Sequence, residues 1–179
     1  EDGFLFITDR KKHLIITAGG KNISPTAVEL AIKSSDPLIS HVFPHGDKRP
    51  YLSALIVPSP LETLHWGIDN GLVDRREVQA REQELLQNPV GRTEALNETM
   101  ARIVGAADFQ DRLRAAVRNG NNALAGFEKI KRIAILDRDF SQEHGELTPT
   151  MKVRRKQVEE KYFSLFNRIY QEPGFAIEV

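Results

Sequence analysis

The sequence predicts an α+β fold: a small sheet of short, mainly antiparallel strands covered by helices, with a helical insertion. Three observations carry that prediction. Short runs rich in β-branched and aromatic residues recur at 4–8, 14–17, 39–43, 51–57 and 130–136, each bounded by turn residues. From about Pro58 to Ala125 the apolar residues fall instead at helical spacing. A last helical pattern, from about Arg155 to Tyr170, closes the chain.

Taken in order, Phe4–Thr8 and Leu14–Thr17 read as two strands joined by the charged turn Asp9-Arg10-Lys11-Lys12-His13. Ser24-Pro25 marks a helix start, with Ser24 as N-cap and Pro25 where a missing N–H costs nothing. The helix Thr26–Ser34 turns Val28, Ala31 and Ile32 toward a core, and Asp36-Pro37 ends it. Ile39–Phe43 and Tyr51–Val57 are strands about a polar turn. In the insertion, Leu61, Leu64 and Ile68 share a helical face, and Arg75–Gln87 is a charged helix. Thr93–Val117 reads as one long amphipathic helix, stopped by Asn119-Gly120-Asn121-Asn122. Ile130–Leu136 alternates as a strand that returns to the first sheet. Val158, Tyr162, Leu165, Phe166 and Ile169 give the last helix its apolar face, and residues 171–179 form a tail.

Composition narrows the function classes. A chain of 179 residues, 40% of them hydrophobic, fits one domain with an insertion and buries roughly 70% of its unfolded surface. Twenty-five basic residues balance 25 acidic ones, so there is no electrostatic footprint for nucleic acid. With no cysteine, disulfides, thiol nucleophiles and thiolate metal sites are excluded. No apolar run approaches the roughly 20 residues that span a bilayer. The start Glu1-Asp2-Gly3 has no initiator methionine and no signal pattern, and reads as a turn cut from a longer protein.

Two stretches carry chemistry. In the first, Asp9-Arg10-Lys11-Lys12-His13-Leu14-Ile15-Ile16-Thr17-Ala18-Gly19-Gly20-Lys21-Asn22-Ile23-Ser24-Pro25, two glycines stand between a strand and a helix. Glycine lets a ligand approach the backbone more closely than any residue with a Cβ allows. The cations around the turn predict an anionic, phosphorylated ligand. In the second, Gly145-Glu146-Leu147-Thr148-Pro149-Thr150-Met151-Lys152-Val153-Arg154-Arg155, a polar loop presents a lysine just before a helix. Met alone, that basic cluster reads as a solvated helix start, and Gly19-Gly20 as a tight turn. Their joint presence, in this order at the two ends of one α+β domain, turns the reading to function.

Both stretches resemble motifs of the adenylate-forming (AMP-binding) enzymes, and the wording DRKKHLIITAGGKNISP is most similar to the long-chain fatty acyl-CoA synthetases. The likeness covers about residues 1–57 and 126–165, with 58–125 similar to the insertion of long-chain members. It implies the C-terminal lid domain of a fatty acid–CoA ligase, residues 1–170 here, inactive without a large N-terminal domain. By resemblance, Lys152 is the catalytic adenylation lysine, Lys12 the hinge about which the domain rotates, and Arg10 a contact to the nucleotide. Gly19, Gly20, Lys21 and Asn22 line the CoA channel after rotation. Most members carry a single glycine at that turn, which leaves Gly19 and Gly20 as alternatives for the residue beside the thiol. ATP and CoA are implied as substrates, with Mg²⁺ entering with ATP and held mainly by the N-terminal domain. The partners implied are that domain, a long-chain fatty acid, ATP and CoA, in a cytoplasmic protein with at most peripheral membrane association.

Other features have plainer readings. His13, His41, His45, His65 and His144 lack paired ligand spacing, so no metal is assigned. Asp137, Asp139, Glu143 and Glu146 lack the register of a calcium loop and read as a solvated acidic loop. Trp66 is a packing residue. Two rival functions remain in view: a fatty acyl-AMP ligase lid, which shares the lysine loop, and a non-catalytic interaction module docking through the inserted helices.

Overall fold

The computed structural model describes residues 14–89 and 92–179. The strand expected at Phe4–Thr8, with Arg10 and Lys12, lies outside the described residues. Strands β1 (Ile15–Ile16) and β2 (Asn22–Ile23) form a small antiparallel hairpin with Ile15 opposite Ile23. Helix α1 (Pro25–Lys33) starts as expected, with the Ser24 side chain accepting from the Ala27 N–H. Strands β3 (Ile39–His45) and β4 (Leu52–Pro58) pair antiparallel. Four helices follow: α2 (Pro60–Asp69), α3 (Arg75–Gln87), α4 (Glu94–Val104) and α5 (Ala107–Asn121). Strand β5 (Ile130–Ile135) then pairs with β4, and α6 (Arg155–Lys161), α7 (Phe163–Gln171) and β6 (Ile177–Glu178) end the chain.

The main sheet has the order β3-β4-β5-β6. Its outer pairings are antiparallel and β4–β5 is parallel. Parallel neighbours need a long crossover, and α2–α5 are that crossover. Residues 171–179, read as a tail, contribute the edge strand β6, with Ile133 opposite Ile177.

Strand β4 is buried along its whole length, and its side chains alternate between two cores. Leu52, Ala54 and Ile56 pack with α1 and the inserted helices; Leu55 and Val57 pack with Phe140, Val158, Phe166 and Ile169 under α6 and α7. The sheet is thus covered on both faces, which a strand of near-continuous apolar residues requires.

Two expected helices are each divided. The stretch read as Thr93–Val117 breaks at Gly105-Ala106. Met100, Ile103 and Val104 before the break and Phe109 and Leu113 after it enter the same core, so the apolar period runs through the corner. The last helix breaks at Tyr162, which caps both α6 and α7. Trp66 packs as expected, edge-on to Phe109 with ring centroids 5.0 Å apart.

The expected stop at Asn119–Asn122 is instead the last turn of α5. A Cβ on Gly120 would lie 2.8 Å from the Ala31 carbonyl oxygen and 2.9 Å from the Ile32 Cα, so glycine lets α5 cross closely over α1. Asn121 then ties the helix to β5, its side chain donating to the Ile130 carbonyl and accepting from the Ile130 N–H, both at 2.9 Å. Gly120→Ala is expected to destabilise the chain. The gain of about 1 kcal/mol in helix propensity is outweighed by an overpacking cost of about 1–3 kcal/mol against backbone that cannot step aside. A lower urea midpoint with unchanged slope is the expected reading; a higher midpoint would contradict the packing account.

Candidate functional site

The two sequence motifs lie on two separate hairpins. The first is the turn 17–21 between β1 and β2. It closes through Thr17 N–H to the Lys21 carbonyl at 3.2 Å and Gly20 N–H to the Thr17 carbonyl at 2.8 Å. It is fastened to the turn between β3 and β4: Ala18 N–H donates to the Arg49 carbonyl at 2.9 Å, and Lys48 N–H to the Ile16 carbonyl at 2.8 Å. It therefore belongs to the Leu52 end of β4.

Gly19, Gly20, Lys21 and Asn22 are all exposed. Asn22, read as part of the turn, is a β2 residue paired with Ile16. The two glycines differ. Gly20 has φ +72°, a conformation costly for residues with a side chain, whereas Gly19 has no such backbone need. A Cβ on Gly19 would meet only the Thr17 hydroxyl, at 4.0 Å, among the described residues. The Lys21 ammonium sits 5.5 Å from the centre of the Phe127 ring, which is 47% exposed. Sequence reading missed Phe127, because it lies over a hundred residues from the turn it adjoins.

The second motif follows β5. Leu136 N–H bonds the Ile56 carbonyl, and Asp139 accepts from Ser40, whose hydroxyl also reaches the Val57 and Pro58 carbonyls. The segment thus leaves the sheet at the Pro58 end of β4. Six steps along β4 at 3.3 Å each separate the two anchorages by about 20 Å. Arg92, from the α3–α4 connection, holds the same Asp139 at 2.8 Å in a nearly buried ion pair.

Lys152 stands on one leg of a tight hairpin. Leu147 bridges Val153 antiparallel, Thr148 N–H donates to the Lys152 carbonyl at 2.9 Å, and Lys152 N–H returns to the Thr148 hydroxyl at 3.0 Å. Met151 at the tip takes φ +59°. Lys152 is exposed, and among the described residues no carboxylate pairs with its ammonium. Behind it, Arg155 pairs with Glu29 of α1 and lies 5.4 Å from the Phe43 ring centre, so this arginine serves the fold.

The acidic loop is not uniformly solvated. Glu146 is only 1% exposed. Its carboxylate accepts from Lys161 Nζ at 2.6 Å, the Tyr162 hydroxyl at 3.0 Å and the Ser141 N–H at 3.1 Å. Burial works to raise its pKa, but those donors outweigh it and hold the carboxyl below its ordinary value. Tyr162, half-buried and facing this carboxylate, is pushed up to about 12.

Two of the histidines serve packing. His41 stacks on Phe140 at 5.5 Å, and His45 on Phe166 at 4.2 Å. Burial, helped by the Arg49 guanidinium, lowers His45 to about 4 from 6.5. Above pH 6.5 the ring is neutral folded or unfolded, and its stabilising contribution is complete. As pH falls from 6.5 toward 4 the unfolded chain takes the proton first, so stability drains away. The part of the loss due to His45 is expected to be about 2 kcal/mol, discounted for solvent at one edge of the ring. Urea unfolding from pH 7 to 4 should show that drop, and His45→Phe should remove it; equal slopes in both proteins would contradict the assignment.

Among the described residues no group of three or more His, Cys, Asp or Glu could hold a metal ion, and no helix is long and apolar enough to cross a membrane.

Residues 12–78 match the AMP-binding enzyme C-terminal domain family. More particularly, the chain is 37% identical over 172 residues to the long-chain-fatty-acid–CoA ligase FadD15 of Mycobacterium tuberculosis, and 38% identical over 172 residues to ACSBG1, the human enzyme of the same description. Each likeness covers 96% of this chain, which spans about a quarter of those relatives' length (25% and 23%). In fold it is similar to the adenylation domain of the carboxylic acid reductase of Segniliparus rugosus, solved with AMP and a co-purified carboxylic acid. The TM-score is 0.56 at 22% identity, over 91% of this chain and 20% of that one.

Proposed function

We propose that this chain is the lid domain of an ATP-dependent long-chain fatty acid–CoA ligase and serves its two half-reactions with two different motifs. In the first, a carboxylate oxygen of the fatty acid attacks the α-phosphorus of ATP. The bond to pyrophosphate breaks and acyl-AMP forms. Lys152 neutralises the charge that builds on the phosphate oxygens, a task suited to a point charge on a flexible stem. In the second, the CoA sulfur attacks the acyl carbon, the thiol proton passes to solvent, and AMP leaves. Here the Gly19–Asn22 turn lines the pantetheine channel, with Gly19 beside the thiol arm. Lys12 is the pivot between the two poses and Arg10 a nucleotide contact. Mg²⁺ enters with the ATP phosphates and is held by the large domain that also forms the fatty-acyl tunnel.

One observation carries this reading: both motifs present exposed residues on one domain, with Lys152 on a hairpin where no described carboxylate pairs with its ammonium. In the proposed cycle the domain turns between steps, so that each motif in turn faces the reacting carboxyl group. Among the described residues nothing packs against Gly19 closely enough to require glycine, and its φ is not left-handed, which supports its assignment to a ligand.

The test is made on the intact enzyme. Palmitate is expected to drive ATP–pyrophosphate exchange, and added CoA to convert the adenylate into palmitoyl-CoA. Exchange with palmitoyl-AMP as the end product, whatever the CoA supply, would replace the proposal with an acyl-AMP ligase. No exchange with any fatty acid would replace it with a non-catalytic interaction module.

A further inference from the structure

We propose that Glu146 is a positioning residue for adenylation: its buried carboxylate fixes the base of the Lys152 hairpin against the junction of α6 and α7. The inference rests on the reading of Lys152 as the adenylation lysine. Glu146 joins four segments. Its carboxylate takes hydrogen bonds from Ser141 in the loop after β5, Lys161 at the end of α6 and Tyr162 at the helix break. Its own carbonyl accepts from Arg154 N–H at 2.8 Å, closing the hairpin two residues beyond Lys152. Its N–H bonds the Ser141 carbonyl at 3.1 Å, and Arg138 stands 3.9 Å from the same carboxylate.

Stability alone is a poor reason for this arrangement, because a buried ion pair is often matched or bettered by apolar residues of the same volume. A carboxylate does what a leucine cannot. It sets the direction of approach of three donors from three segments, and so fixes where the hairpin stands. The lysine stem remains exposed and mobile while its Cα is held. Transition-state stabilisation by one ammonium depends on placement, and a displacement near 1 Å costs about 10²-fold. Tyr162 interrupts the last helix at this point, which puts its hydroxyl and the Lys161 ammonium on one carboxylate oxygen.

The experiment uses the intact enzyme and both half-reactions. Glu146→Gln keeps the shape and removes the charge. It is expected to lower the kcat of palmitate-dependent ATP–pyrophosphate exchange by about 10–100-fold with little change in KM. Transfer from synthetic palmitoyl-AMP to CoA should stay within about twofold of the parent, as expected for a group acting only through Lys152. Placed on Lys152→Ala, the same change should lower exchange no further, because both act through one group. Normal exchange in Glu146→Gln, with exchange lost in Lys152→Ala, overturns the positioning role and leaves the adenylation reading standing. Normal exchange in Lys152→Ala overturns that reading itself. Equal losses in both half-reactions, or additive losses in the double variant, mean that Glu146 serves the fold alone. If Glu146→Gln does not fold, Tyr162→Phe removes one donor and decides in its place. Exchange is then expected to fall severalfold with transfer unchanged, and equal falls overturn the inference.

Discussion

Replacing Lys152 by alanine in the intact enzyme is expected to reduce palmitate-dependent ATP–pyrophosphate exchange by about 10²–10³-fold, the usual cost of one charge-stabilising donor. Transfer of a supplied palmitoyl-AMP to CoA should stay near the parent rate. The selectivity follows from where the lysine stands. The side chain leaves an exposed hairpin and makes no ion pair among the described residues, so its removal breaks no packing and uncovers no buried charge. Folding stability should therefore stay within about 0.5 kcal/mol, the usual range for a surface substitution. Loss of exchange with an unchanged melting temperature identifies a group that acts in the reaction. Loss of transfer with exchange intact would place Lys152 in the other half-reaction and contradict the role given to it.

The second large effect is expected at Gly19. A Cβ there meets no described atom closer than the Thr17 hydroxyl, and φ lies outside the left-handed region, so the domain should fold as before. The leucine side chain would be added to an exposed turn expected to line the CoA channel. Thioester formation from supplied acyl-AMP should fall by about 10²-fold or more, as for other displacements of reacting groups. Exchange should remain near the parent rate. Gly20→Leu is the informative contrast. At φ +72° the substitution costs about 1–3 kcal/mol of backbone strain, so a melting-temperature drop should accompany any loss. Normal transfer in Gly19→Leu, measured beside normal folding, would remove that glycine from the channel.

Local chemistry made much of this fold legible in sequence. Ser24-Pro25 announces α1 through an N-cap and a residue that needs no N–H, and the structure has both. The bounds of α3, Arg75–Gln87, agree with the charged stretch read as a helix. What escaped was set by contacts distant in sequence. The corner at Gly105 is silent because apolar period and core are continuous across it. The helical turn at Gly120 looks like a stop until α1 is laid against it. Glu146 resembles its solvated neighbours because its partners Lys161 and Tyr162 are fifteen and sixteen residues further on.

The same division holds for the site. Lys152 and the Gly19–Asn22 turn were legible as motifs, since glycine pairs and a lysine before a helix are local patterns. The route of the second motif was not legible: it depends on the parallel pairing of β5 with β4, which carries the chain off the Pro58 end of the sheet before Arg155 returns to pair with Glu29 of α1. Nor does the motif distinguish Gly19 from Gly20. That distinction is a dihedral angle, and only a folded turn assigns it.

The central claim is that one domain serves two half-reactions with two different motifs. Its most direct test is the ratio of exchange rate to transfer rate in Lys152→Ala and Gly19→Leu, each relative to the parent enzyme and in the same preparations. The account predicts ratios displaced in opposite directions, downward for Lys152→Ala and upward for Gly19→Leu, by at least about 10²-fold each. Ratios displaced in the same direction, or both unchanged, would contradict it.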